Sequence, residues 1–450
     1  MTTTTEVTGR GTFARGVHPA DKKALAYQAA IEVLPTPAQV AIPLLQHTGA
    51  ACEPIVKMKQ EVAAGEKIAD STAFISAPIH TPIAGTVQMG SVTTLPNGRH
   101  VKTLPVKAGP NQLSGGALLN DVFGGDWPKS GLETYTPEQI ARAVREAGLV
   151  GMGGAAFPTH VKLAKNEKRP VDTLLLNGCE CEPYLTSDYR VMVEFPASVI
   201  TGALLAARAC GAQKMIVAIE DNKPAAIASM KKAAEGTGVA IVEVETRYPM
   251  GGERQVIPAV LNRAVPTGGL PLDVGVVVVN VGTAAAIARA VLRGKALTHR
   301  VISVTGEGIA HPKNVLAPIG VSYKELIDFC GGLTADAVRV VVGGPMMGFT
   351  LGEFNVPVTK GTSGIVVLTQ EEVRKSEETA CVRCGRCVDV CPLHLVPTKL
   401  ALASQHQDWD LARKYHLMAC CECGCCAYVC PASIPLVQWM RVGKAQLPRE

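Results

Sequence analysis

Between about residues 136 and 281, short apolar runs alternate with amphipathic ones. Thr173–Leu176, Lys214–Ile219, Ala240–Val244 and Gly275–Asn280 read as buried strands. Ala197–Ala207, Pro224–Ala234 and Ala284–Arg293 carry the helical period between and after them. One helix start is written out in full. Thr136 is a good N-cap, Pro137 suits the first helical position, and Gln139 completes a capping box. Ile140, Ala143, Val144 and Ala147 then share one face, and Gly148 ends the helix. Alternation of this kind predicts an α/β layer around a largely parallel sheet.

The flanking segments are patterned differently. In the first hundred residues, Pro35, Pro37, Pro43, Gly49, Pro54, Gly65, Pro78, Pro82 and Gly85 punctuate short strands, and Pro96-Asn97-Gly98 predicts a hairpin turn. The stretch from Val56 through Ile68 to Val87 resembles a lipoyl-type barrel sandwich. Its matching turn, near Asp70-Ser71-Thr72, lacks the lysine a swinging arm would need. From about Thr298 to Thr350, strands at Val301–Thr305 and Val338–Val342 surround one helix, Tyr323–Cys330, and the section resembles a β-grasp module. Domains are expected over 36–110 (barrel-sandwich hybrid), 120–295 (α/β), 296–355 (β-grasp) and 370–440 (cysteine-rich), after an extension over 1–35. The fold class is thus multidomain, α/β and β, with a helical last domain.

Composition narrows the function. The 450 residues are 47% hydrophobic and 18% charged, too apolar for a disordered chain. The net charge of +5 forms no basic stripe, so no nucleic acid partner is expected. No apolar run approaches the ~18 residues of a membrane span, and Met1–Arg10 is polar and Thr-rich, unlike a signal peptide.

Ten of the 15 cysteines fall between Cys381 and Cys430. Cys381, Cys384, Cys387 and Cys391 with Pro392 form one C-x2-C-x2-C-x3-C-P arm. Cys420, Cys423, Cys426 and Cys430 with Pro431 repeat it 39 residues on. Zinc knuckles need neither the third cysteine nor the Cys-Pro, whereas two-cluster ferredoxins use both. In that pattern the fourth cysteine of each arm binds the other arm's cluster. Two 4Fe–4S clusters are therefore expected, one on Cys381, Cys384, Cys387 and Cys430, the other on Cys420, Cys423, Cys426 and Cys391, with Cys421 and Cys425 as non-ligands.

A glycine-rich stretch, Gly148 to Lys162, lacks the spacing and the preceding strand of a dinucleotide fingerprint. Gly151, Gly153 and Gly154 still let backbone N–H groups approach a phosphate or a flat ring, with Lys162 as a point charge; a tight reversal of the chain is the alternative. Asn177-Gly-Cys-Glu-Cys-Glu-Pro-Tyr184 follows a strand, where open α/β sheets bind ligands. Tyr248-Pro-Met-Gly-Gly-Glu-Arg-Gln255 is a third such loop.

Taken in order, the barrel sandwich, these three motifs, the β-grasp section and the doubled cysteine arms resemble the C subunit of the Rnf electron-transport complex, over about Gly16 to Pro435. The central domain is also similar to the flavoprotein subunit of respiratory complex I. The resemblance implies non-covalent FMN held by Gly151, Gly153, Lys162, Asn177, Glu180, Asn280 and Thr283, and NADH bordered by Phe157, Glu182 and Glu253. Cys179, Lys165 and Arg254 depart from the complex I pattern.

The same resemblance implies a peripheral electron-input subunit of a translocase-type NAD:ferredoxin oxidoreductase. It would sit on the cytoplasmic side of the cell inner membrane, with NAD(H) as substrate and the other Rnf subunits as partners, a ferredoxin-like iron–sulfur subunit among them. Two rivals remain. A corrinoid reductase uses the same modules but carries its glycine loop before the barrel. A non-catalytic electron conduit would lack the flavin.

Overall fold

The structure is a computed structural model that describes residues 7–165, 167–373 and 376–447. The first six residues of the Thr-rich start lie outside it. Four parallel strands form the central sheet, in the order Val239–Val244, Lys214–Glu220, Thr173–Asn177, Val276–Asn280. From Thr173–Asn177 the chain builds outward to both sides. The strand order therefore reverses between Thr173–Asn177 and Val276–Asn280, the place where such sheets open a ligand crevice. Asn177 and Asn280 end these two strands in register with each other.

Both faces of the sheet are covered, which is why its strands read as continuous apolar runs. Leu174, Leu176, Val277 and Val279 pack with helices Pro137–Glu146, Pro196–Cys210 and Val281–Arg293. Leu175, Ile216 and Val278 pack on the opposite face with helix Glu253–Leu261. Helix Pro137–Glu146 has the expected capping box: Gln139 N–H donates to Thr136 Oγ1 (3.2 Å) and Thr136 N–H to Gln139 Oε1 (2.8 Å). Helices Ser187–Glu194 and Glu253–Leu261 are additions to the expected set.

The barrel comprises a five-stranded and a three-stranded sheet around Val40, Ile42, Ile68, Ile79 and Val106. Pro96-Asn97-Gly98 turns Ser91–Thr94 onto His100–Ala108. The next sheet extends beyond the 296–355 segment expected for it. Its six strands run in the order Ile31–Val33, Lys313–Pro318, His299–Thr305, Gly364–Thr369, Ala337–Val342, Phe349–Thr350, with helix Tyr323–Phe329 in the same hydrophobic cluster. An edge strand drawn from the first 35 residues cannot be read from local pattern, because its partner lies some 280 residues away. That N-terminal segment is integral to the fold. Val17 bridges Tyr248, Gly16 N–H donates to Val390 O, and buried Lys23 donates to the carbonyls of Glu180, Glu182 and Leu185.

The cysteine-rich segment is helical, and its repeat is structural as well as chemical. Short helices Arg386–Asp389 and Cys425–Tyr428, and longer ones Pro397–Gln405 and Leu436–Gln446, each start 39 residues apart. Positive-φ residues recur at the same offset: Arg383 and Glu422, Gly385 and Gly424, His394 and Ser433. Among the described residues no single helix is long and apolar enough to cross a membrane.

Candidate functional site

At the crevice the glycine loop is stitched down from both sides. Gly151 N–H donates to Phe157 O (2.8 Å), closing the loop on itself, and Met152 N–H donates to Thr283 Oγ1 (2.9 Å). Thr283 lies in the first turn of helix Val281–Arg293, whose N-cap is Asn280: Oδ1 accepts from Thr283 N–H (3.2 Å). Asn280 Nδ2 donates to Asp188 Oδ2 (2.6 Å). Gly153 lies over Asn280 and Gly154 holds a φ of +121°, a backbone only glycine adopts without strain. From the neighbouring strand end, Asn177 Nδ2 donates to Gly251 O (2.7 Å) and its Oδ1 accepts from Cys179 N–H (3.1 Å). These bonds bring Gly151, Gly153, Asn177, Asn280 and Thr283 into one crevice, with the Gly251–Glu253 turn on its far wall.

Lys162 is different in kind. Among the described residues it makes no hydrogen bond or ion pair, and burial lowers its pKa with only the charge of Glu253 opposing. A desolvated ammonium beside a glycine loop and a helix N-terminus suits an anionic group such as a flavin phosphate. The donor set fits FMN. Phe157 and Glu253 are half-buried, Glu253 in the first turn of its helix.

Two expected ligands are committed elsewhere. Glu180 caps helix Ser187–Glu194, its carboxylate accepting from Asp188 N–H (2.8 Å), Tyr189 N–H (3.1 Å) and Ser187 Oγ (3.2 Å). These bonds fix the carboxylate at the start of that helix. Glu182 accepts from Met346 N–H (3.1 Å) and Met347 N–H (2.9 Å), with Tyr248 Oη 3.5 Å away. Burial pushes its carboxyl up to about 7. It ties the central domain to the 344–347 loop. The sequence reading missed Asp188, half-buried behind Asn280 and pushed up to about 7 by desolvation and then by the charge of Glu180. It also missed Arg300, which donates to Met152 O and Lys360 O beneath the loop. Asp188 sits in an unexpected helix, and Arg300 reaches its partners across two domains.

In the cysteine-rich segment, Cys391, Cys420, Cys421, Cys423, Cys425 and Cys426 line one hollow with Val437 and Met440. The four cysteines expected for the second-arm cluster are among them, and so are Cys421 and Cys425, expected as non-ligands. Among the described residues, no three Cys, His, Asp or Glu side chains converge closely enough for a single metal ion. The expected four of these six thiols fit a cluster that gives each thiolate its own iron. Burial pushes Cys420 up to about 11 and Cys426 up to about 12, so binding a cluster would displace their protons. In the first arm Cys387 and Cys430 are buried, whereas Cys381 and Cys384 are exposed.

Comparison with known proteins agrees with this layout. The family model of the Nuo51 FMN-binding domain matches residues 144–289, that of the RnfC barrel sandwich hybrid domain residues 11–109, and that of the SLBB domain residues 301–350. The chain is 44% identical to the C subunit of the proton-translocating ferredoxin:NAD(+) oxidoreductase complex of Clostridium ljungdahlii, over 96% of this chain and 93% of that one. It is 40% identical to the C subunit of the Na(+)-translocating ferredoxin:NAD(+) oxidoreductase complex of Acetobacterium woodii, over 97% of both. To the C subunit of the ion-translocating oxidoreductase complex of Rhodobacter capsulatus it is 43% identical, over 96% and 82%. A crystal structure of NAD+-reducing NiFe hydrogenase in the H2-reduced state shares the fold, with a TM-score of 0.51 at 21% identity, covering 74% of this chain and 67% of that one. The chain belongs to the family of C subunits of the Rnf-type ion-translocating oxidoreductase complexes.

Proposed function

We propose that this chain is the peripheral electron-input subunit of a membrane ion-translocating NAD:ferredoxin oxidoreductase, exchanging electrons between NAD(H), non-covalent FMN and two 4Fe–4S clusters. The observation that carries the reading is Lys162, a half-buried cation without a hydrogen bond or ion pair among the described residues, facing the charge of Glu253 beside a crevice where Asn177, Asn280 and Thr283 are bonded to the protein. Gly151 and Gly153 would offer backbone to the flavin, Lys162 its charge, and Asn177 and Asn280 a fixed rim. Thr283 holds the loop, while Glu180 and Asp188 hold the elements beneath it. Phe157 and Glu253 would border the nicotinamide nucleotide. When bound, a flavin takes electrons as a hydride pair from nicotinamide and releases them singly to iron–sulfur clusters.

The two arms would each hold one cluster, exchanging their fourth cysteines, Cys430 and Cys391. The exposed first arm and the lack of a spanning helix among the described residues favour attachment through partner subunits on the cytoplasmic side, a ferredoxin-like subunit among them. The six-stranded sheet supports a β-grasp assignment, and the repeated helices a two-cluster ferredoxin domain. Anaerobic purification tests the reading. It should yield about eight irons and one acid-released FMN per chain, bleached by NADH. Cys391→Ala should damage the second-arm cluster more than the first. About four irons, or no flavin, overturns the reading.

A further inference from the structure

The two cysteine arms are chemically equivalent in sequence but not in position. The second arm is docked on the turn that walls the crevice. Tyr248, buried, donates from Oη to Cys423 O at 2.7 Å, and Cys425 Sγ lies 3.9 Å from Tyr248 O. Three residues further, Gly251 accepts from Asn177 Nδ2 at its carbonyl and donates from N–H to Cys181 Sγ (3.3 Å). The turn Tyr248–Glu253 thus touches the crevice with one side and the second arm with the other.

A second tether runs through Glu182, which holds Met346 and Met347. Met346 O approaches Gly424 so closely that a Cβ there would lie 2.6 Å from it. Arg441 donates to Met347 O (2.8 Å) and pairs with Glu422, and Lys444 donates to Cys420 O (2.6 Å). Val17, Tyr248, Cys423 and Cys425 pack together with Cys181 and Met346 into one small core. Among the described residues nothing comparable covers the front of the first arm. Residues 376–386, including Cys381 and Cys384, are all exposed.

Resting on the function proposed above, we infer that the second-arm set, Cys420, Cys423, Cys426 and Cys391, is the one that exchanges electrons with the crevice. Tyr248 is its positioning residue. The first-arm set is the outer station, facing whatever protein the chain passes electrons to or from. Exchange between the crevice and a cluster would move one electron at a time and make no bond. A hydride pair accepted from NADH by bound flavin would thus leave as two single electrons, with the flavin's proton released to water.

The test uses the full chain, purified anaerobically with its cofactors. Cys384→Ala leaves only the second-arm cluster and Cys420→Ala only the first, and dithionite reduction followed by EPR assigns the two signals. Rapid-freeze EPR then follows cluster reduction by NADH, or oxidation by NAD+, in whichever direction the wild-type chain runs. The Cys384→Ala chain should keep near wild-type exchange, and the Cys420→Ala chain should lose it. Tyr248→Phe should shift the g values of the second-arm signal alone, with iron content unchanged. Exchange surviving in Cys420→Ala and lost in Cys384→Ala overturns the assignment, as does a Tyr248→Phe shift confined to the first-arm signal or absent altogether. A wild-type chain with no cubane signals, or with no exchange in either direction, instead overturns the underlying function.

Discussion

The crevice of the central domain and the cysteine-rich segment hold their ligand groups by opposite means. In the crevice, Asn177, Asn280, Thr283 and Glu180 are bonded to the protein itself, and the sheet and helices behind them are packed on both faces. The cysteine-rich segment has short helices of four residues around its thiols, too short to stand by themselves. Burial raises the thiols of Cys420 and Cys426, and Cys381 and Cys384 are exposed. The crevice is organised by its own hydrogen bonds. In the cysteine-rich segment the order lies in the core of Leu400, Leu417, Leu436 and Met440 behind the thiols, and a cluster on the thiols, as proposed, would add its binding free energy to folding.

The widest separation of the two regions should come from removing iron. Chelation under anaerobic conditions should loosen residues 376–447, read as fast protease cleavage between the arms, while flavin stays bound to the remainder. Equal resistance of both regions with and without iron would erase the contrast.

A second test of the organised side uses pH. Glu182 is raised to about 7 from an ordinary 4.5, chiefly by burial, with the Met346 and Met347 N–H groups, the Lys23 charge and Tyr248 opposing. A carboxyl raised on folding is protonated in both states at low pH and costs stability once the unfolded chain ionises. The cost grows from about pH 4.5 to about pH 7 and is constant above, on the order of 3 kcal/mol. Glu182→Gln should therefore match wild type near pH 4 and unfold at a higher temperature than wild type at pH 8. A Tm difference that is flat with pH would show that Glu182 keeps its ordinary titration.

A third test asks whether Lys162 is the group the crevice leaves for its ligand. A charge-assisted hydrogen bond contributes ~1.5–3 kcal/mol, so Lys162→Ala should weaken FMN retention on the order of ten- to a hundredfold. Fluorescence of released flavin on dilution measures this. Unchanged retention would leave the glycine loop a reversal of the chain and nothing more.

What was legible in the sequence follows the same division. The central strands were readable because burial on both faces writes Thr173–Asn177 and Val276–Asn280 as near-unbroken Leu and Val runs, and the outer strands Lys214–Glu220 and Val239–Val244 as mainly apolar ones. The repeat of the cysteine arms was readable from its spacing, and the positive-φ residues that recur with it were seen only in the structure. Helix Glu253–Leu261 was hidden by Pro258 inside it and two glycines before it. Ser187–Glu194 was hidden by its mixed polar face. The hydrogen bonds of the carboxylates were not legible for a further reason. Their strand-end position is what a nucleotide ligand would have, but Glu182 finds partners some 160 residues away and Glu180 caps a helix the pattern did not show. Local pattern reports which groups reach a site, and long-range packing decides which of them are left over.

The smallest expected effect isolates the local component of the organised side. Helix Pro137–Glu146 lies under the glycine loop: Gly148 ends it, and Val150 already bridges Pro158. Its capping box satisfies two backbone donors that would otherwise have no partner, on an exposed surface. Thr136→Ala removes one side of that exchange and should cost ~1 kcal/mol, a small drop in Tm at every pH. Because Ile140 and Val144 anchor the helix by burial, the loop should stay in place and FMN affinity should not change. Loss of flavin in Thr136→Ala, measured by the same dilution assay as for Lys162→Ala, would mean that the crevice depends on its helix ends and is less pre-organised than its hydrogen bonds indicate.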